Sequence, residues 1–316
     1  MRAARHPWIV VALFAVLYGI QTTAYPQFRI VAMAPFTMNL PPDEQFNYGS
    51  PFTFFLGSYY LHHGLDDGWA FTTVNAIGLA FFAVSLWAYV SRRYGAAKRG
   101  QALLVALMSP VLFVVLSWVG KSDPYLIAFF LLATLAESAV TRAILCGAAV
   151  LCHQTLAPAL LAAALCFDSS RWRSTLAGVA IGEGLVWIYV HELLSAVPVS
   201  RGEYAVEHLR DLGTLLWQHP LLHLWATFGP FWIVVLAHRR LTWPRIVVFA
   251  GALALAAVSF DFTRIFIIVA LPLVLDISRD VVTSGVRLAS LWPLMFFQLQ
   301  CAANRVLLAQ GFRIRL

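Results

Sequence analysis

The stretch Leu40–Ser50, LPPDEQFNYGS, is a polar island between long apolar regions, and it sets Asp43 and Glu44 side by side. Carboxylates kept beside a bilayer are costly to desolvate, and those retained tend to mark function. A carboxylate with a raised pKa can act as a general base on a hydroxyl, which is a weak nucleophile until its proton leaves. Pro41 and Pro42 stiffen the approach to the pair. An ordinary solvated loop is the competing reading, since an adjacent Asp-Glu pair is by itself a weak signal.

Three further stretches carry the remaining candidate chemistry. In Gly120-Lys121-Ser122-Asp123-Pro124, Lys121 is a point charge suited to phosphate, and Asp123 can orient it or cap the next helix, with Pro124 at the first helical position. The segment lacks the preceding glycine of a P-loop, so nucleotide binding through it is set aside. Arg201-Gly202-Glu203-Tyr204 adds a second mixed-charge group. Asp261-x-x-Arg264 opens an otherwise apolar helix, where Arg264 can snorkel, clamp a phosphate, or pair with Asp261 at i, i+3. His153-Gln154, inside an apolar run, reads as a proton relay, a hydroxyl ligand or a hydrogen-bonded core histidine. Glu183 sits within another apolar run. His62, His63, Asp66 and Asp67 are metal-ligand types, but their spacing matches no specific site. No cofactor follows from these residues, and a divalent metal ion stays open. Neither Gly-x-Ser-x-Gly nor His-Glu-x-x-His occurs, which argues against an intramembrane hydrolase.

The elements that must position these groups are membrane helices. Of the 316 residues, 60% are hydrophobic and 12% charged, against about 25% charged in an ordinary soluble domain. With a mean hydropathy of +0.76, a soluble globular domain is excluded. The net charge of +7 reads as topology rather than nucleic-acid binding, because Lys and Arg gather in short segments between apolar runs. Cys146, Cys152, Cys166 and Cys301 lie in or near apolar stretches with neither disulfide-framework nor metal spacing.

The expected architecture is an all-α, polytopic transmembrane helical bundle of about 9–11 membrane segments, each roughly 20 residues where it spans fully. It forms one transmembrane domain over 1–316 in the inner (plasma) membrane. Arg2 and Arg5 hold the N-terminus of an uncleaved first span, Pro7–Thr23, in the cytoplasm. Residues 24–69 form the first outer loop, whose aromatic run 52–62 predicts a short interfacial helix or, alternatively, a short buried core helix. Trp69–Val90 descends to the basic run SRRYGAAKRG, Gln101–Val119 returns, and Tyr125–Val140 descends again. Basic residues at both ends of 143–167 favour two half-helices broken around His153–Pro158 over one span. Ser174–Glu192 leads to a second outer loop at 194–222 with an amphipathic helix. His223–Ala237, Ile246–Phe260, Ile265–Leu275 and Leu288–Ala302 complete the set. The acidic stretches then share the outer, periplasmic face.

These features resemble the GT-C superfamily, integral-membrane glycosyltransferases that use polyprenyl-phosphate-linked sugars. The resemblance rests on Asp43-Glu44 in a long first outer loop, the short helix after it, the hairpin tip Lys121-Ser122-Asp123-Pro124, and the broken helices around His153. It implies that Asp43 or Glu44 is the catalytic base. It also implies that Lys121, Arg264 and Arg201 hold the donor phosphate, with Asp123, His153, Glu203 and Asp261 completing the binding face. The implied partners are the polyprenyl-phosphate sugar donor, a lipid-linked or other envelope acceptor, and membrane lipids, with no nucleic acid. Two other readings stand beside it. A transporter or flippase for a lipid-linked or small anionic substrate predicts repeats and paired broken helices. A non-catalytic subunit of a polysaccharide assembly predicts a cavity without a placed carboxylate.

Overall fold

A computed structural model describes residues 50–109, 111, 114–115, 122–193, 228, 231–232, 235, 242–257 and 262–284. Nearly all of these residues are helical, and there is no strand among them. The all-α expectation therefore holds for the described chain. The helices are α1 (Pro51–His62), α2 (Asp67–Met108), α3 (Asp123–Leu135), α4 (Ala139–Cys152), α5 (Leu156–Leu165), α6 (Trp172–Ile188), α7 (Trp243–Ala257), α8 (Phe262–Val269) and α9 (Leu271–Thr283). Among the described residues one helical stretch, Gly68–Leu103, is long and apolar enough to cross a membrane by length and composition.

The long α2 is a helical hairpin. Gly95 adopts φ +64°, ψ 178°, a backbone conformation that glycine reaches without a Cβ clash. Past it, the Arg99 guanidinium lies 4.7 Å from the centroid of the Trp87 ring. Twelve residues of straight helix would separate the two by about 18 Å. The chain therefore folds back at Gly95, and Leu86 and Val90 face Ala102 and Ala106 across a small cavity. The basic run 91–100, expected as a loop, is helical on both sides of that one reversing residue.

The segment 143–167 is broken as expected, but earlier than Pro158: α4 stops at Cys152, His153 is extended (φ −159°, ψ 98°), and α5 starts at Leu156. Pro158 lies in the first turn of α5, where its missing donor removes no intrahelical bond. The break is set by His153, whose Nδ1 accepts the Leu156 N–H at 3.3 Å. A second break falls at Ala270, between α8 and α9, with Pro272 opening α9. The expected span Ile265–Leu275 is thus two helices. The expected Tyr125–Val140 ends at Leu135, and a Ser138-capped turn leads directly into α4.

Glycines set the closest helix contacts. α4 packs on α6 through Gly147, Gly178 and Gly182: a Cβ at Gly182 would come 2.6 Å from Val150 Cβ, and one at Gly178 would overlap the Ala143 carbonyl oxygen. α2 meets α3 at Gly78, where a Cβ would sit 2.6 Å from the Tyr125 ring, whose hydroxyl donates to the Val74 carbonyl at 2.5 Å. The opposite faces are apolar and exposed. Trp172, Leu176, Ile181, Leu185 and Trp187 project outward from α6, and Trp243, Ile246 and Val247 do so from α7.

Candidate functional site

One end of the bundle gathers groups from five segments. It is organised by the C-terminus of α4, where the last carbonyls have no intrahelical donor. The Ser50 hydroxyl, just before α1, donates to the Leu151 carbonyl at 2.8 Å. The Ser122 hydroxyl, just before α3, donates to the Cys152 carbonyl. Two distant loops are thus pinned to one helix end. Immediately beyond it, His153 is half-buried and held by the Leu156 N–H. Because Nδ1 accepts, this contact places the ring proton on Nε2 in the neutral imidazole.

Asp123 and Arg264 form the buried centre of this end. The Arg264 Nε donates to Asp123 Oδ2 at 2.5 Å and its Nη2 to Asp123 Oδ1 at 2.7 Å, a bidentate fork between α3 and α8. The Asp123 side chain is 0% exposed and that of Arg264 5%. Burial at this level is tolerable only because both charges and their hydrogen-bonding edges are met together. The Asp123 carboxylate is taken up by Arg264; Ser122 is the N-cap residue of α3 and makes no side-chain capping bond, and Lys121 lies outside the described residues. Arg264 is paired across 141 residues, and the Asp261 of the i, i+3 alternative lies outside the described residues.

The structure therefore brings together Asp123, His153 and Arg264 among the expected site residues. Asp43, Glu44, Lys121, Arg201, Glu203 and Asp261 lie outside the described residues, as do the first span and the second outer loop. Glu183 is on α6, half-buried. Asp66 caps α2 by accepting the Trp69 N–H at 2.8 Å, and His63 Nδ1 bonds the Tyr59 carbonyl at 2.7 Å. Among the described residues no group of three or more His, Cys, Asp or Glu side chains is arranged to hold a metal ion.

The other end carries residues that sequence reasoning treats as topology marks alone. The Arg245 Nε donates to Asp276 Oδ2 at 2.7 Å and its Nη2 to Asp280 Oδ2 at 2.5 Å, joining α7 to α9. Burial works against the Arg245 charge, but the bonds to Asp280 and Asp276 outweigh it and hold the guanidinium above its ordinary range. Asp168 accepts from the Ser170 hydroxyl at 2.6 Å and pairs with the Arg171 Nε at 2.8 Å. The Ser170 bond, against partial burial and with help from Arg171, holds the Asp168 carboxyl below the usual carboxylate range. Arg171 also donates to the Thr134 carbonyl at 2.7 Å, tying α3 to the turn before α6. The only sequence signal for this end is the clustering of basic residues at 91–99, 142, 171–173, 238–245 and 279.

Compared with protein-family models, with curated proteins and with solved structures, the chain matches none.

Proposed function

We propose that the chain is a multi-pass protein of the inner membrane that transfers a sugar from a polyprenyl-phosphate-type donor to a lipid-linked glycan or other envelope acceptor at the outer face. A first-loop carboxylate, Asp43 or Glu44, is the general base. The observation that carries this reading is the convergence of Ser50, Ser122-Asp123, Cys152-His153 and Arg264 at one end of the helices. Glu44 is six residues before Ser50, a length of chain that reaches at most about 20 Å. The first-loop carboxylates are therefore tethered to this end, and so is Lys121, two residues before Asp123. Membrane residence is supported by the exposed apolar faces of α6 and α7, which are costly in water and at home among acyl chains.

In the proposed reaction the acceptor hydroxyl oxygen attacks the anomeric carbon and its proton passes to the carboxylate. The bond from that carbon to the phosphate oxygen breaks, and polyprenyl phosphate leaves with the electron pair. Inversion requires base and phosphate on opposite sides of the sugar, so they come from different segments, the first loop and the α3 tip. The Asp123–Arg264 fork has a positioning role: it fixes the start of α3, two residues after the Lys121 that would meet the phosphate.

A second reading, a transporter of an anionic substrate, is favoured by the two broken helices, α4–α5 at His153 and α8–α9 at Ala270. Proteoliposomes holding the protein, a panel of synthetic polyprenyl-phosphate hexoses and pentoses, and lipid-linked acceptor fractions separate the two. Sugar transfer that disappears in Asp43→Asn or Glu44→Gln, at normal insertion levels, is expected. Full activity in both variants rules out the first-loop base, and substrate flux without transfer selects the transporter.

A further inference from the structure

At the end of the bundle away from Asp123 and Arg264, a cavity of about 270 Å³ opens among α2, α3, α4, α5, α6 and α9. Arg93, Arg142, Arg171 and Arg279 line it, each from a different segment of the chain. The lining carboxylates are already committed. Asp168 pairs with Arg171 at 2.8 Å, and Asp276 with Arg279 at 3.0 Å and with Arg245 at 2.7 Å. No carboxylate lies within ion-pair distance of Arg93 or Arg142 among the described residues. Arg93 lines the cavity beside Tyr89. The hydrogen bonds of Arg142 go to neutral oxygens, through Nη1 to Ser174 Oγ at 3.1 Å and Nη2 to the Ala136 carbonyl at 2.5 Å and the Glu137 carbonyl at 3.5 Å, and Asp168 acts on it only from beyond ion-pair distance. The Arg142 Nε is buried with no hydrogen-bond partner among the described residues.

Four arginines against two aspartates leave the lining two positive charges in excess. A guanidinium drawn partly out of water without a counter-ion is unfavourable, and a buried N–H left unmade adds to the cost. An anion with two charges and several acceptor oxygens removes both costs at once, and planar guanidinium forks fit phosphate oxygens. Beside the arginines the walls are apolar, from Phe130, Leu161, Pro272 and Leu275. The volume is just under the roughly 300–1,000 Å³ of drug-sized sites, enough for a phosphate and a few carbons and too small for a whole lipid.

We propose that this cavity binds a phosphate monoester, with Arg93 and Arg142 as its direct ligands and Arg171 and Arg279 supplying the surrounding positive field. The site is separate from the proposed transfer site and does not depend on it. The phosphate belongs either to a small soluble monoester or to the headgroup of a phosphomonoester lipid.

The test uses the purified full-length protein in two arms. In phosphatidylcholine nanodiscs, glycerol 3-phosphate is titrated by calorimetry. In nanodiscs of phosphatidylcholine with phosphatidic acid, retained lipid is read by native mass spectrometry. Saturable binding is expected in at least one arm, the first indicating a soluble ligand and the second alone a lipid. It should weaken tenfold or more in Arg142→Gln and in Arg93→Gln. Arg93 is exposed, so its variant keeps the test decisive even if Arg142→Gln fails to fold. No saturable binding in either arm, or binding unchanged in Arg93→Gln, overturns the proposal.

Discussion

Asp123 and Arg264 form the most enclosed ion pair described in the chain. Removing one partner of a buried pair strands the other, at a cost of about 3–5 kcal/mol, whereas a well-packed apolar replacement of both is often neutral. Asp123→Asn should therefore lower thermal stability in detergent by that amount, and Asp123→Leu with Arg264→Met should recover most of it. A single variant as stable as wild type would mean that the pair contributes little. Asp168 offers a smaller, pH-dependent effect. Its folded pKa is depressed, so its stabilisation is present above the unfolded value of about 3.9 and is lost as pH falls through the lower folded value. Its side chain is 47% exposed, so solvent screening keeps the effect small. The melting-temperature gap between wild type and Asp168→Asn should hold steady from about pH 7 to 5 and close below about pH 4. The pairing of Asp123 with Arg264 is not legible in the sequence, because nothing local links residues 141 apart. The individual residues are legible, because each is a charge or polar group placed where apolar runs begin or end.

At the level of helices, the α4–α6 contact is the one most sensitive to side-chain size. Adding a methyl group at Gly178 or Gly182 pushes into the Ala143 carbonyl or Val150. Overpacking of this kind costs about 1–3 kcal/mol. Gly184, on the same helix, faces open space: a Cβ there would have no neighbour within 4 Å. Gly184→Ala should be neutral or stabilising by about 0.5–1 kcal/mol through helix propensity. The thermal unfolding temperature should thus fall in Gly178→Ala and stay level or rise in Gly184→Ala, and equal shifts would contradict the close-packed interface. The Gly178-x-x-x-Gly182 spacing is a sequence signature of such contacts in membranes, though charges such as Glu183 beside it draw the eye first. The aromatic run at 52–62 does foretell α1, and the basic run 91–100 does mark a chain reversal. The α4–α5 break falls within the expected His153–Pro158 stretch; what is not legible is its cause, since Pro158 is the conspicuous breaker while a histidine ring bonding a backbone N–H makes the turn.

For the whole molecule, the two ends differ in kind. One is pinned by hydroxyls on the end of α4 and by a neutralised Asp–Arg fork; the other is lined by arginines around a cavity. Charge asymmetry along the sequence anticipates two such ends, but it does not say which basic residues share one cavity, since that depends on how six helices pack. The proposed function requires these ends to face opposite sides of a membrane. Single cysteines introduced by His62→Cys and Ser169→Cys, in a background with Cys146, Cys152, Cys166 and Cys301 replaced, test this with a membrane-impermeant maleimide. Both positions are exposed, one at the C-terminal end of α1 and the other beside α6. Residue 62 should label in intact cells and residue 169 only after permeabilisation. Labelling of both from the same side, or recovery of the protein in the soluble fraction, would contradict that arrangement.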